Sequence, residues 1–484
     1  MTPSLILTIF LAYTVLLFII TWITARRATN QAFFIGNKQS PWVVVAYGMI
    51  GASLSGVTFM SVPGWVGDTQ FSYMMVVFGY LIGYIVIATV LLPLYYKLNL
   101  TSIYSYLETR FGFWSYKTGA FYFILSRVIG ASFRMFLVVN VLQIFIFDAW
   151  GIPFWVTTLI FIILIILYTF KGGIKTIIWT DTVQTTFMLF ALILSIYLIT
   201  KNMGMSFSDI SDAVFDSDYS KMFFGEWSDK RYFLKGILSG AFIAIVMTGL
   251  DQEMMQKNLS CRSLKDAQKN MFSFSVVLML VNFLFLFLGA SLFLFVKFKG
   301  IEMPVRSDDL FPIIAIQHLG PLAGVVFMIG LISAAYPSAD GALTSLTTSF
   351  SIDFLGMNKS GSLSEKQKEK IRYLVHLAFA VILLFVIVLF REINDRAVID
   401  KLFTVAGYTY GPLLGLYAFG LFSKRRVRDR FVPMIAILSP CICYLLSSYS
   451  QELLFGYKFG FELLILNGLI TFAGLLIFSS KKGK

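Results

Sequence analysis

Apolar runs of eighteen or more residues recur along the chain, each long enough to cross a hydrocarbon core of about 30 Å as a helix. Thirteen spans are predicted, at 3–25, 41–67, 71–97, 118–147, 152–170, 176–200, 233–257, 271–297, 320–352, 371–390, 399–423, 430–448 and 459–479. The polar positions inside these runs carry the next layer of information. The second span holds Gly48, Gly51, Gly56, Pro63 and Gly64 with Ser53 and Ser55 among them, a composition able to open the backbone at a depth where irregular chain survives only against protein or a polar cavity. The seventh holds Gly236, Gly240 and Gly249 ahead of the polar run Thr248 to Gln252. Glycine-interrupted spans in corresponding halves of a chain point to a transporter's binding site. These two are five apart in order, so units covering 41–200 and 233–423 would run in opposite directions as inverted five-helix repeats. An extra helix at 3–25 would precede them and two, over 430–479, would follow, all within one transmembrane domain of residues 1–484. Glycine is also common at packing contacts of membrane helices, so its placement alone leaves the repeat open.

Composition agrees with the pattern: mean hydropathy is +0.79, 50 residues are Phe and only 13% are charged, which excludes a water-facing surface and defines an all-α integral membrane protein. The net charge of +13 suggests nucleic acid until the basic residues are located. Alternate loops carry Arg26, Arg27 and Lys38; Lys97, Arg110 and Lys117; Lys171 and Lys175; Lys257, Arg262, Lys265 and Lys269; Lys359 to Arg372; Lys424 to Arg430; and the Lys481 to Lys484 tail. That places 25 of the 39 basic residues on one side against 12 on the other, which makes the richer side cytoplasmic, with the N-terminus outside and the C-terminus inside. No nucleic-acid partner is expected. The opening MTPSLIL lacks a basic n-region, so the first span reads as a retained helix. The acidic, aromatic loop 201–232 predicts short surface helices, and Thr101 is expected to cap an interfacial helix in TSIYSYLETRFG or to lie in a mere connector. Cys261, Cys441 and Cys443 read as packing residues, and His318 and His376 are too few for a metal cluster.

Three groups of residues carry candidate chemistry. The segment Ala334 to Phe354 places Ser338 and Asp340 in an apolar setting, where a charged carboxylate costs roughly 3 kcal/mol and so implies an ion, proton or substrate pathway. Ala334, Pro337, Ser338 and Gly341 share a helix face, and Pro337 frees the carbonyl at position 333 or simply kinks the helix. Na+ is a hard cation suited to such carbonyl, hydroxyl and carboxylate oxygens. Asp181 shares a face with Gln184 and Thr185, as an ion ligand or as an interfacial Asp near Lys175. Arg127 and Arg134, seven apart in the fourth span, fit a bidentate clamp on an acidic solute, or internal ion pairs. No HExxH pair or nucleophile with a base appears, so no enzyme is expected.

These residues together resemble the sodium:solute symporter family. The likeness rests on FFIGNKQSPWVVVAYGMIGASLSG from Phe33, TSIYSYLETRFG from Thr101, FKGGIKTIIWTDTVQ from Phe170, TGLDQEMMQ from Thr248, AAYPSADGAL from Ala334 with SIDF from Ser351, and GYTYGPLLGLYAFGLF from Gly407, six pieces in family order over nearly the whole chain. The resemblance implies a leucine-transporter-like fold in the cell membrane and Na+-coupled symport of a sugar or a sugar acid such as sialic acid. The alternatives are an amino acid, carboxylate or vitamin as solute, H+ coupling through Asp181 or Asp340, or a membrane sensor. It implies a main Na+ site from carbonyls of Gly51, Leu54 and Ala334 with the hydroxyl of Ser338, where Pro337 stands in place of a further hydroxyl. A second Na+ site, found in some members, resembles one built around Asp181 and Asp340; many members write Ser-Thr-Ala-Asp-Ser there, and this chain has Gly341 in place of the last Ser. Solute contacts implied by the resemblance are Ser55 and Thr58, Arg127 or Arg134, and Thr248 and Gln252 of the seventh span.

Overall fold

In the computed structural model, residues 2–24, 33–34, 36–169, 173–357, 364–393 and 397–480 are described. Arg26, Arg27, Lys171, Lys359 and the Lys481 to Lys484 tail lie outside the described residues. The chain is helical nearly throughout, with a two-residue antiparallel pairing of Arg426–Val427 with Ser479–Ser480. Its principal helices are α1 (Pro3–Thr24), α2 (Trp42–Thr69), α3 (Tyr73–Val86, continued to Lys97), α4 (Ser105–Arg110), α5 (Phe113–Leu142), α6 (Phe154–Thr169), α7 (Gly173–Asn202) and α8 (Phe207–Phe215). They continue as α9 (Phe233–Ala244), α10 (Gln252–Leu259), α11 (Leu264–Lys299), α12 (Pro321–Ser349), α13 (Glu365–Ile393), α14 (Val398–Thr409), α15 (Gly411–Phe422), α16 (Val432–Ser448) and α17 (Leu463–Ile477). Eight described helical runs are long and apolar enough to cross a membrane, one of them joining α2 to α3, and a bent pair makes a ninth. Shorter apolar helices cover α15, α17 and most of α6.

Both spans with interrupted patterns are broken. In α2 the backbone leaves helical geometry at Ser55 (φ 42°, ψ 174°), amid the small residues that make such a conformation accessible. Helix α9 widens into a π turn over Ile245–Gly249, and the chain bends by 66° before α10. Asp251 fixes the new start, its Oδ1 accepting the backbone N–H of Glu253 at 2.9 Å and of Met254 at 3.2 Å.

Helix α12 lies at the centre, every residue from Gly330 to Ser349 buried, packed on α2, α5 and α7. It runs through Pro337 without a break. Beyond the polar segment Ser345, Thr347 and Thr348 bond backward, Thr347 to the Leu343 carbonyl at 2.6 Å and Thr348 to that of Thr344 at 2.8 Å. Helix α1 leans on this core through Thr14 Oγ1 to Tyr336 Oη (2.9 Å) and Ser333 Oγ donating to Tyr13 Oη (2.7 Å).

Two local expectations are settled. Helix α4 begins at Ser105 with Tyr104 at its N-cap position and no side-chain cap, while Thr101 lies in the preceding turn, its carbonyl accepting Gln252 Nε2 at 2.8 Å. Lys257, grouped above with the basic loop residues, is buried at the base of the bent span. In the loop after α7, α8 starts with a capping box in which the backbone and hydroxyl of Ser206 hold the Asp209 carboxyl below its usual range.

Candidate functional site

The two breaks face a central cavity of about 80 Å³ lined by Ser55, Thr58, Arg127, Arg134 and Thr248 among others. Beyond it opens a vestibule of about 1760 Å³, walled by the loops around Asp229, Arg306 and Lys458. Tyr73 and Phe403 border both spaces. Their rings stack with centroids 6.4 Å apart, and Tyr73 Oη is bonded to Tyr80 Oη at 3.1 Å, so these side chains form the partition between vestibule and cavity.

The paired arginines of α5 have different surroundings. Arg127 forms a buried ion pair with Glu253 and lies 3.8 Å from Asp251 Oδ2, which also accepts the Tyr410 hydroxyl at 3.0 Å. Arg134 has no hydrogen bond or ion pair among the described residues, although its Nε is buried. A guanidinium in that condition beside a cavity has donors of the geometry that a carboxylate accepts from.

The residues expected to bind ions fall on α2, α7 and α12, which pack on one another. Gly51 lies so close to α7 that its N–H donates to Thr185 Oγ1 at 3.1 Å, while Thr185 donates to the Asp181 carbonyl at 2.7 Å. At the Ser55 break, one residue beyond Leu54 and four beyond Gly51, the Val57 N–H turns to Ser55 Oγ (3.3 Å). On α12, Ala334 and Asp340 are wholly buried, and Ser338 Oγ is buried with no hydrogen-bond partner among the described residues. An orphan hydroxyl there fits a ligand to a hard cation.

Asp181 is otherwise engaged: its Oδ2 receives Lys257 Nζ at 2.8 Å, and the same ammonium lies 3.3 Å from Glu253 Oε1. Thr248 reaches the cavity, whereas Gln252 does not; its amide is taken by the Ile103 N–H (3.0 Å) and the Thr101 carbonyl (2.8 Å). Asp251, Glu253 and Lys257 are the residues that sequence reasoning missed. The available signal was Glu253 and Lys257 at helical i,i+4 spacing at the end of the seventh span, a pattern shared by any solvated helix end.

The sodium:solute symporter family model matches residues 33–429. The chain is 24% identical over 447 residues to the sodium/sialic acid symporter SiaT of Proteus mirabilis, covering 90% of this chain and 87% of that protein. It is 24% identical over 417 residues to the human sodium/iodide cotransporter, covering 83% of this chain and 63% of the human protein. A solved structure of a Na+-coupled sialic acid symporter in a substrate-bound outward-open state superposes with a TM-score of 0.82 at 19% identity, covering 99% of each chain. That likeness establishes the leucine-transporter-like fold, and the match over most of the length establishes the rest: the chain belongs to the sodium:solute symporter family.

Proposed function

We propose that this protein imports an acidic sugar of the sialic acid class together with Na+, across the cell membrane, with the vestibule and N-terminus outside and the C-terminus in the cytoplasm. The observation that carries the solute class is Arg134, a cation at the central cavity with no internal partner among the described residues, beside an Arg127 already engaged by Glu253. The relation to sialic acid symporters points the same way. In this reading Na+ is held by the carbonyls of Gly51, Leu54 and Ala334 and the hydroxyl of Ser338, which draws the Ser55 break against α12. The solute carboxylate then meets Arg134, with Ser55, Thr58 and Thr248 toward its hydroxyls. The present cavity of about 80 Å³ is smaller than the several hundred Å³ that such a ligand needs, so binding requires the Tyr73 and Phe403 rings to part and then close over it. The Na+ gradient and the membrane potential supply the driving force, the latter about 2.3 kcal/mol per charge per 100 mV.

The test is uptake of radiolabelled sialic acid into proteoliposomes holding the purified full chain, with and without an inward Na+ gradient. Na+-driven accumulation is expected. Arg134→Gln should reduce kcat/KM at least tenfold, since a charged hydrogen bond contributes about 1.5–3 kcal/mol. Unchanged uptake by that variant, or uptake indifferent to Na+, would refute the reading.

A further inference from the structure

Lys257 sits where a cation would otherwise be required. Its ammonium is 2.8 Å from Asp181 Oδ2 and 3.3 Å from Glu253 Oε1, and all three side chains are at most 1% exposed. The arrangement is built from two helices that leave room for it. Glu253 is aimed by α10, whose start is fixed by the Asp251 cap, and its second oxygen is engaged by Arg127. Facing it on α12 is Gly341, where an added Cβ would stand 2.2 Å from Glu253 Oε1 and 2.4 Å from its Cδ. The carboxylate therefore fills space that any other residue at 341 would need for its side chain. On the far side, Gln184, with its amide turned to donate, reaches Asp181 Oδ1 at 3.3 Å. Asp181 thus has a partner at each oxygen, one of them already a full positive charge.

We propose that Lys257 is the resident cation of the Asp181 carboxylate, so that this site binds no transported ion and the protein carries a single Na+ per cycle. The inference rests on the Na+-coupled reading for the ion that remains, at Ser338. Bringing Na+ to Asp181 would set two like charges within a few ångströms of each other in a buried setting. Removing the ammonium would instead leave a buried carboxylate uncompensated and in need of a counter-ion.

The experiment counts bound 22Na+ at saturation on the purified, monodisperse full chain, without solute. Wild type is expected to bind one ion per chain. Lys257→Met should bind one more than wild type, and the double variant Lys257→Met/Asp181→Asn should return to the wild-type count. Asp181→Asn alone approaches the pair from the other side: it should leave both the count and the half-saturating Na+ concentration within about twofold of wild type, as expected for an independent site. A Lys257→Met protein that gains no Na+, or an Asp181→Asn protein that loses one, overturns the proposal. The wild-type count tests the symport reading separately: zero ions there would defeat that reading, while the difference between Lys257→Met and wild type would still decide the role of Lys257.

Discussion

Ser338 offers a clean test of the ion site because its hydroxyl contributes nothing visible to the fold. Its Oγ is buried without a hydrogen-bond partner among the described residues, so replacing it by Ala removes an unsatisfied polar group, a change that is neutral or stabilising. In Na+-free medium the melting temperature of Ser338→Ala should therefore equal or exceed that of wild type. Added Na+ should behave differently: a ligand at 100 times its Kd stabilises the native state by about 2.7 kcal/mol, and most of that gain should vanish in the variant. A thermal melt in choline against Na+ measures both effects, and an undiminished Na+-induced rise in Ser338→Ala would remove this residue from the ligand set. The same residue scale shows why Lys257 escaped sequence reasoning while Arg134 did not. Two arginines inside an apolar run stand out, because charge at that depth is costly. A Glu253 and Lys257 pair at the end of a run looks like any solvated i,i+4 pair, and only the bend ahead of α10 carries both into the interior.

At the scale of elements, the breaks were legible because glycine and serine cluster where the backbone opens, at Ser55 in α2 and after Gly249 before α10. What the pattern did not reveal was that several of these glycines are contact points between helices. Gly240 of α9 and Gly79 of α3 bring two backbones almost together: a Cβ on Gly240 would stand 2.0 Å from the Val76 carbonyl oxygen, and one on Gly79 would stand 2.1 Å from that of Ile237. Backbone cannot move aside as a flexible side chain can. Gly240→Ala should therefore cost about 1–3 kcal/mol through overpacking and lower the melting temperature. Gly225, whose added Cβ meets nothing within 4 Å, supplies the control, and Gly225→Ala should fall within about 0.5 kcal/mol of wild type. Equal melting temperatures for the two variants would mean that α3 and α9 are not locked together through Gly240. Of the two expectations for Thr101, cap or connector, the connector holds: the helix starts at Ser105, beyond the reach of a Thr101 cap, and the Thr101 carbonyl is tied to Gln252, 151 positions away in sequence.

At the scale of the whole molecule, the charge that moves per cycle follows from which charges are fixed. Arg127, Lys257 and Arg134 belong to the protein and are not carried with the solute, whichever way the cavity opens. If Lys257 replaces a second transported ion and the solute is the proposed sialic acid monoanion, one Na+ accompanies one such anion, and the cycle moves no net charge. A potential of 100 mV acts on each net charge with about 2.3 kcal/mol, so a neutral cycle feels none of it. Accumulation of sialic acid in proteoliposomes should then follow the Na+ gradient alone, and imposing an inside-negative potential with valinomycin and K+ should leave the plateau unchanged. Two Na+ per solute would carry one net positive charge, and the same potential would raise the plateau roughly 50-fold, since each 1.4 kcal/mol is a factor of ten. In Lys257→Met, where Asp181 is expected to recruit its own Na+, any uptake that survives should become sensitive to the potential. That switch would tie the buried ammonium to the electrical character of transport, because loss of a structural ion pair alone would change the rate of uptake and not its response to voltage.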